Sequence, residues 1–209
     1  MYDSTQDTKK HISQVIEEGV RFTSKLRNQS SNCDSEVLVA IDDFISRFQR
    51  QVAKHDASKL VSPEKDGFDK YTPMLAKIEF GSPEYKKCLS ELQHPYLDHH
   101  YANNSHHPEH YNNGINGMNL FDFIEMFCDW QAAVRRNKNG DIRKSIEINK
   151  ERFKMEPQVA LVLSNTVAGF GFTLCDVIKS YIYLKLGHSK LSYYSGYSKQ
   201  LLGIIANTL

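Results

Sequence analysis

DSEVLVAIDDFISRFQRQVAKHDASK, residues 34–59, decides the fold class. Val37, Ile41, Phe44, Ile45, Phe48 and Val52 recur at three- and four-residue steps, which places them on one inward face of a helix. Asp34 is suited to cap its start. Continued by the same rotation, His55 falls in line with Val37 and Phe48, with Asp56 beside it and Lys59 one turn later. An adjacent His and Asp at a helix end can bind one metal ion, or the carboxylate can bridge two. A lysine one turn on is suited to neutralising a phosphate.

Outward from this stretch the helical period continues and no alternating strand pattern appears. Upstream, a helix over about 8–29 lines up Ile12, Val15, Ile16, Phe22 and Leu26, with His11 at the edge of that face. Downstream, Pro63 and Pro73 interrupt the chain, and shorter helices are expected near 66–79 and 83–102. Residues 103–119, NNSHHPEHYNNGINGMN, read as a loop, with Gly114 and Gly117 supplying turns. A strong helix follows at about 119–137, with Leu120, Phe123, Ile124, Phe127, Trp130 and Val134 on one face. Further helices are expected at 141–153, 157–170 and 172–186, and a last one from about Ser198. The fold class is all-α: a domain over 1–168 and a helical extension over 169–209. Residues 158–167 and 200–209 resemble each other, either as a duplicated helix or as two similar amphipathic ones.

The 209 residues carry 26 Lys+Arg against 25 Asp+Glu, so there is no basic field for binding duplex nucleic acid. Aromatics at 11% and a net charge of +1 argue for a folded, soluble domain rather than disorder. Cys33, Cys88, Cys128 and Cys175 are widely spaced and read as reduced thiols of a cytoplasmic protein. The polar N-terminus has no secretory signature. The charge-free run from Pro157 to Cys175 is interrupted by polar residues and is shorter than the ~20 apolar residues of a spanning helix, so no membrane segment is expected.

Six of nine histidines fall between residues 94 and 110, where an even scatter would place fewer than one. Imidazole is the commonest neutral ligand for borderline metals, and such a patch is either a metal site or a solvated coat on a helix end. On the 119–137 helix, Asp122, Glu125 and Asp129 share a stripe opposite the aromatic face. Such a stripe is either solvated or, if the helix is sandwiched, turned toward a metal pocket. No phosphate-cradling glycine loop or serine nucleophile elbow competes.

HDASK at 55–59 resembles the H-D-x-x-K signature of HD-domain metal-dependent phosphohydrolases. The order His11, His55-Asp56, two further histidines, then Asp129 is also the ligand order of the two-metal members of that superfamily. More closely, the chain resembles a poorly characterised family of small phage and bacterial proteins, through His11, HDASKLVSP at 55–63, HHYANNSHHPEH at 99–110 and EMFCDW at 125–130. Val61 before Ser-Pro departs from that pattern.

The resemblance implies an HD-like helical bundle whose metal ligands are His11, His55, Asp56 and Asp129, with one residue from each of the pairs His99/His100 and His106/His107. Neighbours on a helix project about 100° apart, so one of each pair is expected to face the ion, and His100 and His107 are taken. Lys59, Glu109 and His110 are the catalytic, substrate-side candidates. The mixed N/O set suits one or two ions of Mn, Fe, Co, Ni or Zn rather than Mg. The implied activity is hydrolysis of a nucleotide or another small phosphate ester. Alternatives are a di-iron oxygenase on the same ligands and a non-catalytic helical binding protein. Against the last of these, the open Asn- and Gly-rich loop at 112–117 beside the histidines reads as a mobile substrate cover rather than part of a closed structural site. The tyrosines at 193, 194 and 197 would cap the pocket, form a homodimer contact or simply pack.

Overall fold

A computed structural model describes residues 2–79, 82–136 and 140–170. The chain divides into two compact units, residues 1–164 and 165–209. The expected helices at 172–186 and after Ser198, the second copy of the internal similarity, the tyrosine-rich segment, His188 and Cys175 lie outside the described residues.

The protein is all-α, with no strand among the described residues. Helix α1 spans Thr5–Gln29 and α2 Ser35–Val52. They are followed by α3 (Glu64–Leu75), α4 (Pro83–Leu92), α5 (Asp98–Asn103), α6 (Leu120–Arg135), α7 (Ile142–Arg152) and α8 (Pro157–Phe170). Single 3-10 turns occupy Ala57–Leu60, Pro108–His110 and Gly114–Gly117. No helix among the described residues is long and apolar enough to cross a membrane.

The apolar periods of α1, α2 and α6 meet in one cluster of Val15, Phe48, Val52, Ile124, Cys128 and Ala132, with Ile16, Phe22, Phe44 and Phe121 packed against it. Each fully buried aliphatic or aromatic side chain there contributes roughly 1.5–3 kcal/mol. Only the C-terminal half of α2 reaches this core. Val37, expected inward, is 43% exposed, because α2 meets its neighbours α1 and α6 near its later turns. Cys88 and Cys128 are buried free thiols and Cys33 is exposed.

Helix α6 is the centre of the fold, packing against α1, α2 and α7. It is sandwiched: Ile124 and Phe127 are buried, and so are Asp122 and Glu125 on the opposite side. Trp130 stacks on Phe153, with 6.3 Å between ring centroids.

A second cluster, Tyr71, Cys88 and Leu92 with Tyr96 and Leu97, holds α3 against α4 and the segment after it. The continuous helix expected over 83–102 is broken there. His94 leaves helical geometry (φ −115°, ψ 125°) because Pro95 lacks an N–H and clashes with a helical predecessor. The break lets Tyr96 close on Gly67 of α3, where a Cβ atom would lie 2.3 Å from the ring. This docking sets α5 and its histidines beside the start of α3. The middle of α3 is tied to the start of α1, since the Ser4 backbone N–H and hydroxyl both donate to Asp69 (2.7 and 2.6 Å). Pro73, expected to interrupt a helix, is accommodated two residues before α3 ends.

Candidate metal centre

Three regular elements and one irregular segment converge on Asp56. Helix α2 stops at Val52, and a tight reversal carries His55 and Asp56 before the 3-10 turn that bears Ser58 and Lys59. Asp56 itself is left-handed (φ 53°), a conformation that Asp and Asn adopt more readily than other side-chain-bearing residues. His55 thus lies beyond the helix that was expected to carry it, yet both residues are almost fully buried (2% and 1% exposed).

The two carboxylate oxygens of Asp56 face two different groups. Oδ2 lies 3.3 Å from His11 Nε2 and 3.5 Å from His55 Nε2. His11 Nε2 is also 3.1 Å from Asp129 Oδ1, and the two imidazole Nε2 atoms are 3.4 Å apart. Oδ1 lies 3.4 Å from His100 Nε2 and 3.6 Å from His106 Nε2, and His107 Nε2 is 2.8 Å from that of His100. Two groups, His11–His55–Asp56 and Asp56–His100–His106–His107, each converge closely enough to hold an ion.

The structure therefore brings together His11, His55, Asp56, His100, His107 and Asp129, and adds His106, which the sequence reading passed over. Choosing one histidine per pair assumed a helix. His106 lies in a turn and His107 has extended backbone (φ −94°, ψ 128°), so their rings lie close, with centroids 4.2 Å apart, instead of splaying. His99 and His100, which are helical, do separate: His100 is buried, while the His99 side chain is 39% exposed.

Buried carboxylates grip the far side of these rings. Glu64 Oε2 is 2.8 Å from His100 Nδ1 and its Oε1 is 2.7 Å from His99 Nδ1, while Ser58 donates to it (3.0 Å). Glu125 Oε1 is 2.8 Å from His55 Nδ1 and 3.4 Å from His106 Nδ1. Gln51 donates to both Glu125 (2.8 Å) and Asp122 (3.0 Å). Asp122 also accepts from Ser105 (2.6 Å) and Tyr111 (2.7 Å), and it closes the capping box that starts α6. Asn104 donates to Ser58 Oγ and to the His100 carbonyl (2.8 Å each). These polar ties fix the irregular segment 104–107. Glu64 and Gln51 carried no pattern that would have singled them out, and Asn104 lay within the quoted 99–110 stretch with no role assigned to it, whereas Glu125 and Asp122 were visible as the acidic stripe of α6.

The electrostatics suit a cation. Burial favours a raised pKa for Asp56, but the charges of Lys59 and His55 outweigh it and hold the carboxyl well below its ordinary value. Asp129 is lowered in the same way, burial being overcome chiefly by its hydrogen bond with His11. Burial pulls His11 down, but its contacts with Asp129 and Asp56 raise it overall. Burial, with His55 second, pushes His106 down to about 3, and burial with His106 and His100 pushes His107 down to about 2. Both imidazoles are therefore neutral near pH 7 with a lone pair to give.

Two buried atoms at the centre, Asp56 Oδ1 and His106 Nε2, have no hydrogen-bond partner and face each other. Leaving a buried polar atom unsatisfied costs about 1–3 kcal/mol. A metal ion between nitrogen and carboxylate donors satisfies both, so the residues present fit such an ion.

Lys59 Nζ sits 2.6 Å from Asp56 Oδ2, over the Phe68 ring. Glu109 and His110 are elsewhere. Glu109 pairs with Arg152 (2.7 Å), and His110 Nδ1 donates to the Tyr101 carbonyl (2.8 Å). Together with Tyr101 they line a cleft of about 430 Å³ that also includes Gln93 and Asp98. The Tyr101 ring separates this cleft from the histidines, 5.1 Å from His107 and 5.9 Å from His100 between centroids. His94, in the same composition-rich stretch, is a surface residue paired with Asp98.

The model of a family of unknown function, DUF5662, matches residues 1–169, and the chain belongs to that family. No curated protein and no solved structure matches it.

Proposed function

We propose that the protein is a metal-dependent hydrolase of small phosphate esters, with two ions held in an HD-domain-like arrangement. The observation that carries this is the division of Asp56: one oxygen faces His11 and His55, the other His100 and His106. A lone structural ion needs no such bridge, whereas paired ions clamp the attacking and leaving oxygens of a displacement at phosphorus. His11, His55, Asp56 and Asp129 would hold one ion, and Asp56, His100, His106 and His107 the other. When bound, such ions supply a water acidified to a pKa of ~7 and neutralise phosphoryl charge.

The chain's own groups do the rest. Lys59, 18% exposed and held by Asp56 and the Phe68 ring, can turn its ammonium to the phosphoryl oxygens as charge builds on them. The new bond joins water oxygen to phosphorus, the ester P–O bond breaks, and a proton passes to the leaving oxygen. The cleft beyond Tyr101 has room and polarity for the alcohol portion, with Arg152, Glu109 and His110 to contact it. A nucleoside is a leaving group of this kind.

Elemental mass spectrometry of the purified protein beside H55A/D56A, followed by phosphate-release assays on a nucleotide panel with Mn, Co, Zn and Fe, tests the proposal. About two equivalents of metal, lost in the variant, and metal-dependent phosphate release are expected. Retained iron with oxygen uptake and no phosphate release would move the centre to oxygenase chemistry on the same ligands. No metal uptake at all would leave a helical binding protein.

A further inference from the structure

Asp56 joins the two halves of the centre on the inner side, and a second carboxylate lies across the same two halves on the outer side. Glu125 is 3% exposed on the sandwiched helix α6. Its Oε1 is 2.8 Å from Nδ1 of His55, which serves one half, and 3.4 Å from Nδ1 of His106, which serves the other. The His55 and His106 rings lie nearly on one another, 4.2 Å between centroids and tilted by 34°. The other oxygen, Oε2, is held by Gln51, which is fixed in turn on Asp122. Glu64 is the contrasting case. It grips His100 and the half-exposed His99, and touches no residue of the His11–His55–Asp129 half.

We propose that Glu125 is a positioning residue that couples the two metal sites. This rests on the metal-centre reading above. By accepting both Nδ1 protons, one carboxylate selects the Nδ1–H tautomer of His55 and of His106 together, which leaves both Nε2 lone pairs facing Asp56. An ion drawn to His55 on one side aligns Glu125, and Glu125 then aligns His106 on the other side, so the first ion prepares the second site. Asp56 transmits the same preference from within. The same three residues, His55, His106 and Glu125, also bring donor atoms close enough together to hold an ion themselves. That arrangement would strip both imidazoles of their orienting acceptor, and the hydrogen bonds of Gln51 to Glu125 and Asp122 argue for the supporting role.

Two measurements on the full chain test the coupling. The first titrates metal-free protein with Co²⁺, followed by absorption and calorimetry, for wild type, E125Q and E64Q. E125Q keeps the shape of the side chain but removes its charge, and its one amide oxygen cannot both face the two imidazoles and accept from Gln51. It is expected to weaken both binding steps by about ten- to hundredfold and to reduce their cooperativity, Asp56 keeping its own share of the coupling. E64Q is expected to weaken one step only. If E125Q weakens a single step, removes one whole equivalent or changes nothing, Glu125 does not couple the sites.

The second measurement records long-range ¹⁵N–¹H spectra of the histidines without metal. His55 and His106 are expected as Nδ1–H tautomers in the wild type and as mixtures in E125A, with circular dichroism confirming that the variant folds. If E125A does not fold, E125M, close to the native side chain in size but without a carboxylate acceptor, replaces it in this measurement. Unchanged tautomers would overturn the positioning role. Failure of the wild type to bind Co²⁺ would instead overturn the metal-centre reading, while the tautomers still decide whether Glu125 orients the two rings.

Discussion

The two halves of the centre are built by different means. One half takes His11 from α1, Asp129 from α6 and His55 from the turn at the end of α2, elements locked together by the Val15–Phe48–Ile124 core. The other half takes His100 from a six-residue helix and His106 and His107 from irregular chain, held mainly by side-chain hydrogen bonds. The first half is positioned by apolar packing, which is redundant. The second is positioned by single polar contacts, each of which matters.

Removing what the halves share gives the largest expected effect. D56N keeps the left-handed backbone and the size of the side chain but removes the charge. It is expected to abolish binding of both metal equivalents, as measured by elemental analysis, and phosphate release with it, while the circular dichroism spectrum stays helical. Next come variants confined to one half. D129N and H100A are each expected to lower the stoichiometry from about two to about one, with the surviving ion bound more weakly than in the wild type. Retention of both ions in either variant would break the assignment of that half.

A third prediction separates packing from polar support. N104A removes the ties to Ser58 and to the His100 carbonyl and leaves buried groups unsatisfied. A loss of roughly 1–3 kcal/mol in urea unfolding is expected, along with weaker binding in the His100 half. In Y111F, Asp122 loses one of several donors, and about 0.5–1.5 kcal/mol is expected. The Tyr111 hydroxyl is pushed up to about 12 by burial and by its bond to Asp122. Because this folded-state value is raised, its contribution is complete below the ordinary tyrosine value near 10 and is lost as pH rises toward 12. The smallest effect belongs to H94A. His94 is a surface residue of the same histidine-rich stretch, and its pair with Asp98 is exposed and screened by solvent. Metal content should not change.

The same contrast governs what could be read from the sequence. The apolar periods around Val15, Phe48, Val52 and Ile124 are local signals of helices and of the face each buries, so the all-α class and the inward positions of His11 and His55 were legible. Asp129 and Glu125 were legible only as a stripe, since whether a helix is covered on both sides depends on chain elsewhere. Between Asn103 and Asn119 the sequence announced histidines without geometry. Treating His106 and His107 as helical neighbours assigned one of them away from the site, where a turn brings both in. Glu64 and Gln51 had no signal, because a lone acid or amide acquires its role only when the fold places a ring nitrogen or another carboxylate opposite it. The break at His94 was written in Pro95, and it decides where α5 lies.

The backbone at Asp56 sets the terms on which this centre can be lost. A left-handed residue disfavours most side chains by roughly 1–2 kcal/mol, with Gly, Asn and Asp the exceptions. In a lineage that no longer uses this cluster, substitutions at this position should therefore drift first to Asn or Gly, each one nucleotide away from an aspartate codon. Relatives carrying either residue here would keep the shape of the reversal after its chemistry has gone.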